Sequence, residues 1–153
     1  MVINMEECIQ QKSKISEHTS ETCIFCKIIK GEIPCAKIYE DDKIISFLDI
    51  APTGKGHALV VPKEHYETLI DLPEEFPFLS AVKKVARAQS AALGTDGFNL
   101  VINNKRSAGQ VVSHVHAHII PRQANDGVFF ELRHRKATEK EIADVAEKIS
   151  KFL

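Results

Sequence analysis

The sequence predicts an antiparallel α+β domain: a five-stranded sheet with one main helix and a C-terminal helix. Three observations carry that reading. Five short runs are β-rich or alternate in polarity, most links between them are too short for parallel crossovers, and two longer stretches have a helical apolar period. The chain has 153 residues, about one domain's length, and its 44% apolar and 27% charged content excludes disorder and fibrous repeats.

Residues 1–22 are polar, lack the apolar run of a signal peptide, and read as a flexible leader. Cys23 to Lys30 predicts a short helix, stopped by Gly31 and Pro34. Lys37 to Glu40 and Lys43 to Leu48 form a hairpin around Asp41-Asp42. Ala58 to Val61 is a third strand, entered from Pro52-Thr53-Gly54-Lys55-Gly56 and closed by Pro62. Between Pro73 and Leu93, the spacing of Leu79, Val82, Ala86 and Leu93 predicts the main helix, with Lys83, Lys84 and Arg87 facing water. Gly94 ends it. Phe98 to Asn103 and His114 to Ile120 complete the strands. Thr138 and Glu141 form a capping box ahead of Ile142, Val145, Ala146 and Ile149, so residues 123–153 read as an extension bearing an amphipathic helix.

Charge narrows the partners. Twenty basic and 21 acidic residues give −1, which does not suit a polybasic nucleic-acid binder but leaves room for local phosphate contacts. No stretch has the roughly 18 continuous apolar residues of a membrane helix, because charges break even IISFLDIAPTGKGHALVVP. A soluble cytoplasmic protein is expected. In a reducing compartment Cys23-x-x-Cys26 reads as a metal clip or a redox pair, while Cys8 and Cys35 read as ordinary thiols.

The most informative segment is Ser113-His114-Val115-His116-Ala117-His118-Ile119-Ile120. On a strand the three histidines share one face, and Val115, Ala117 and Ile119 share the core face. Same-face neighbours lie about 6.6 Å apart by the strand rise, too far for all three imidazoles to grip one ion. One histidine can bind metal while its neighbours do chemistry.

This pattern resembles the histidine triad (HIT) family, in particular its Hint-like zinc-containing nucleotide hydrolases. The likeness runs from Cys23 to Arg122 through CIFCKIIKGEIP, KIYEDDKIISFLDI, GHALVVPKEH, NLVINN and AGQVVSH. It implies a domain over residues 23–122, with the sheet continued across a homodimer. It also implies a purine nucleotide substrate, attacked at its α-phosphorus by His116 to give a nucleotidyl-histidine, with His118 holding a phosphate oxygen or protonating the leaving group. Asp49 matches the acid that binds ribose hydroxyls, Asn103 a nucleotide contact, and Gln110 a candidate phosphate contact. Phe25, Ile28, Phe47, Ile50 and Leu59 resemble the purine slot, and His57 the histidine behind the triad. Cys23, Cys26, His65 and His114 match the ligands of a closed, structural zinc site.

Two departures from the family pattern stand out. Lys105-Arg106-Ser107 follows Asn104 where glycine is common, and Val111 stands where eukaryotic Hint proteins carry a serine that bonds the leaving-group bridge. The substrates implied are purine nucleoside phosphoramidates or related monophosphate derivatives. A dinucleoside polyphosphate hydrolase is the alternative within the class, since its triad strand often ends in Pro-Arg, as Pro121-Arg122 does here. A nucleotide-binding interaction module with weak hydrolysis is the alternative outside it.

Overall fold

Alternation along the strands decides the architecture. In β2 (Ile44–Leu48), Ile44 and Ser46 face one way while Ile45 and Phe47 face the other; in β3 (Ala58–Pro62), Ala58 and Val60 oppose Leu59 and Val61. All of these side chains are buried, so this sheet must be covered on both faces. The computed structural model describes residues 20–129 and 134–153. The predicted leader lies almost wholly outside the described residues, as do Cys8 and His18.

Five strands form one sheet in the order β1-β2-β3-β5-β4, every neighbouring pair antiparallel. β1 is Lys37–Glu40, β4 Gly97–Val101 and β5 Ala117–Arg122. One face carries α2 (Phe78–Leu93), which packs on β2, β3 and β5. The other face carries α1 (Ile24–Ile29), which packs Phe25 and Cys26 with Ile45, Phe47, Leu59 and Val61. α3 (Glu139–Ser150) follows the sheet and buries no residue.

The predicted elements appear in their expected order, with informative differences. The main helix begins at Phe78, and its buried stripe is Phe78, Ala81, Val82, Val85, Ala86 and Gln89. Leu79, read as a core position, is 56% exposed, because the stripe starts one residue earlier on the helix wheel. The final strand begins at Ala117, so His114 and His116 precede the ladder. The proposed capping box is half formed: the Thr138 side chain accepts the Glu141 backbone N–H, but the Glu141 carboxylate pairs with Arg135.

Two local devices shape the ground under the histidines. Gly56 takes φ +80° and lies against Leu93, turning the chain sharply ahead of His57. In the loop between β4 and β5, the Lys105 N–H donates to Gln110 Oε1 at 2.6 Å, and Gln110 Nε2 donates to the carbonyls of Glu67 and Val112. Lys105 is held at φ 67°, ψ 163°, a region that is essentially glycine's alone and costs other residues about 1–3 kcal/mol. The family's usual glycine is thus explained, and this chain tolerates lysine by pinning it. Lys105→Gly should raise stability by about 1 kcal/mol, a gain of roughly 2–4 °C in Tm, since the half-exposed Lys105–Glu67 pair lost with it is worth little. A thermal melt checks this; a lower Tm would show that Lys105 is not strained.

Candidate active site and metal-ligand cluster

The three histidines serve two clusters that meet at His116. His114 is fully buried and points its Nδ1 at Cys23 Sγ (3.4 Å) and Cys26 Sγ (3.6 Å); His65 Nδ1 lies 3.3 Å from Cys26 Sγ. The four donor atoms lie within 4.8 Å of one another. At bond lengths of about 2.3 Å to sulfur and 2.0–2.1 Å to nitrogen, tetrahedral coordination sets neighbouring S and N donors about 3.5 Å apart, so the spacing fits one ion.

The chemistry of the donors agrees. His114 Nε2–H donates to the Pro62 carbonyl at 2.9 Å, which puts the ring's proton there and leaves the Nδ1 lone pair facing the thiols. Burial pushes His114 down to about 4, so the ring stays neutral and able to ligate. Burial, and then the neighbouring Cys23, push the Cys26 thiol up to about 12. The Cys26 thiol thus resists ionisation for want of positive charge, which a bound cation would provide.

His116 is 5% exposed, and its Nδ1–H donates to the His114 carbonyl at 2.7 Å. That bond assigns the lone pair to Nε2 and fixes the ring plane. Phe25 from α1 sets its ring edge-on to His116 at 5.0 Å, and to His114 at 6.0 Å. The α1 helix that carries Cys26 and the His114 segment therefore both position His116.

His118 belongs to the second cluster, with His57 and Asp49. The Thr53 N–H donates to His57 Nδ1 at 3.1 Å, so the His57 proton sits on Nε2, which donates to His118 Nδ1 at 2.9 Å. His118 in turn keeps a proton on Nε2. Asp49 Oδ2 lies 3.8 Å from His57 Nε2, and Asp49 Oδ1 accepts the Ala51 N–H. The His116 and His118 rings are 4.8 Å apart, presenting a lone pair beside a proton donor.

The other predicted residues divide. Phe25, Phe47 and Leu59 are buried together, with Ile28 packed against them. Ile50 stands outside this cluster and is 46% exposed. Asn103, half-buried, turns its amide towards the Gly109 carbonyl at 3.5 Å. Gln110 is corrected: it is buried and its amide is engaged with three backbone groups, so it shapes the loop instead of offering its side chain to phosphate. Sequence reasoning missed the backbone partners, Thr53 N–H and the Pro62 and His114 carbonyls, because only folding brings main-chain groups to particular rings. The signal available for Thr53 was the tight Pro-Thr-Gly-Lys-Gly turn before His57.

The HIT domain model matches residues 30–125. The adenosine 5'-monophosphoramidase hnt1 of Schizosaccharomyces pombe is 52% identical over 103 residues, 66% of this chain and 74% of that protein. The adenylylsulfatase HINT3 of Arabidopsis thaliana is 41% identical over 136 residues, 86% of this chain and 69% of that protein. A crystal structure of a HIT family member from Bacillus subtilis superposes with TM-score 0.79 at 40% identity, covering 86% of this chain and 96% of that one. A Zn-bound histidine triad protein from Mycobacterium smegmatis superposes with TM-score 0.64 at 34% identity, covering 86% and 99%. This chain belongs to the HIT family.

Proposed function

We propose that the protein hydrolyses purine nucleoside phosphoramidates, or related nucleoside monophosphate derivatives, through a nucleotidyl-His116 intermediate. One observation carries the reading: His116 Nδ1–H is held by the His114 carbonyl, which puts the ring's lone pair on Nε2, beside the His118 ring. Nε2 attacks the α-phosphorus while the bond from phosphorus to the leaving group breaks. The proton on His118 Nε2, whose ring is held at Nδ1 by the His57 Nε2–H, passes to the leaving atom. Water then attacks phosphorus, the P–N bond to His116 breaks, and the water's proton returns to His118. The relatives named as a monophosphoramidase and an adenylylsulfatase support this class, since each name implies cleavage at an adenylyl phosphorus.

Phe25, Ile28, Phe47 and Leu59 form the apolar slot for the purine in this reading, Ile50 lies at its mouth, and Asp49 and Asn103 hold the ribose and phosphate side. The polyphosphate alternative draws no support from Pro121-Arg122. The Arg122 side chain is engaged by Asp126, Asn99 and the Val128 carbonyl, anchoring the segment after β5. The open edge of β4, with Phe98 and Leu100 part exposed, supports pairing with a second copy. Among the described residues no helix is long and apolar enough to cross a membrane.

The ion assigned to Cys23, Cys26, His65 and His114 is zinc in a structural role. The spacing and softness of the donors support it, as does the Zn-bound relative. Cys23, Cys26, His65 and His114 would hold such an ion with four protein donors, and it would supply a crosslink from α1 to the segment carrying His116.

His116→Ala should lower turnover of adenosine phosphoramidate by about 10³-fold or more while nucleotide binding stays measurable. Substantial residual turnover would remove His116 from the nucleophile's role. Metal analysis of protein purified without added zinc should find close to one equivalent; under about a tenth, with all thiols reactive, would contradict the zinc site.

A further inference from the structure

The described chain holds two apolar surfaces that each lack a cover. The first is a groove of about 470 Å³ on the α2 face of the sheet, lined by Ile38, Leu48, Val85, Ala88, Ala92 and Leu93. Ile38 and Leu48 are 46% and 39% exposed. The second is the face of α3, where Ile142, Val145 and Ile149, followed by Phe152, all stand exposed. These recur three or four residues apart, and the helix buries nothing of its own. A helix of this kind is stable where its apolar stripe meets a partner.

Charge matches the two. α2 carries Lys83, Lys84 and Arg87 and no acid; Lys84 lines the groove, while Lys83 and Arg87 line the neighbouring hollow by Tyr39 and Asp41. α3 carries Glu139, Glu141, Asp144 and Glu147 against Lys140 and Lys148, a net −2. The Lys84 ammonium lies 4.6 Å from the Tyr39 ring centroid.

The segment after β5 starts beside such a surface. Arg122 and Asp126 pin the segment after β5, and Val128 packs against Gly54, two residues before the Gly56 of the groove wall. Area argues for a reciprocal exchange. A 12-residue helix is about 18 Å long and 10 Å across, so two helices seated in two grooves bury on the order of 1,500 Å², the size of a stable specific interface. One helix in one groove buries about half of that.

We infer that α3 is an exchange arm: the apolar face of each copy's C-terminal helix seats in the Ile38–Leu48–Ala92 groove of a second copy of this chain. This contact is separate from pairing at the β4 edge and does not rest on the hydrolytic reading.

The test places cysteines at both surfaces, in the double variant Ala92→Cys, Ala146→Cys, and applies a short bis-maleimide crosslinker to the full chain. The expected product runs at twice the chain's mass under denaturing conditions, and its peptide map joins position 92 of one chain to position 146 of another. A product of single mass joining the same positions would mean the arm folds onto its own groove, and would overturn exchange. No product joining them would do the same. Val145→Glu with Ile149→Glu, both on an already exposed face and added to the double cysteine variant, should lower the yield of the interchain 92–146 crosslink by at least about tenfold while the far-ultraviolet circular dichroism of the domain persists. An unchanged yield would also overturn the inference.

Discussion

The architecture around the candidate site depends on one residue's hydrogen bonds. The His114 ring gives its proton to the Pro62 carbonyl, turns its other nitrogen towards Cys23 and Cys26, and through its own carbonyl holds the Nδ1–H of His116. In the proposed reading, therefore, one residue is both a metal ligand and the positioner of the nucleophile. Its complete burial removes water as a competitor for each of these bonds, which makes each more directional than it would be at the surface. Phe25 reinforces the arrangement from α1, packing its ring edge-on against both His114 and His116.

The second cluster shows the same logic without thiols. A main-chain N–H from Thr53 decides which nitrogen of His57 carries a proton, and that decides how His118 is polarised. Asp49 Oδ2 stands beside them, 3.8 Å from His57 Nε2. Two neighbouring rings thus acquire opposite roles, lone pair and donor, from backbone groups on different turns. A near-neutral chain can in this way handle an anionic phosphorus centre with a few aimed donors instead of a basic surface.

Much of this was legible in the sequence. The hairpin, the β3 run and the helix after Pro73 are local patterns, and periodicity reports them well. The partition of His114 from His116 and His118 followed from strand spacing together with the family resemblance, and the four metal donors do converge. What was hidden was non-local. Leu79 fits the apolar period yet faces water, because only the sheet's position chooses which stripe is covered. Gln110 reads as a phosphate contact, but its amide closes a loop whose partners include Glu67, 43 residues away in sequence. Lys105 looked like a departure from the family pattern, and the strained backbone shows what the departure costs.

The central claim is that His116 Nε2 becomes bonded to phosphorus. Its most direct measurement is rapid acid-free quenching of enzyme with adenosine phosphoramidate, followed by peptide mass spectrometry and ³¹P NMR of the trapped protein. The account predicts one adenylyl group per chain, on the peptide containing residue 116, linked through Nε2. An adduct on another residue, or continued turnover with no phosphorus bound to the protein at any time, would contradict it.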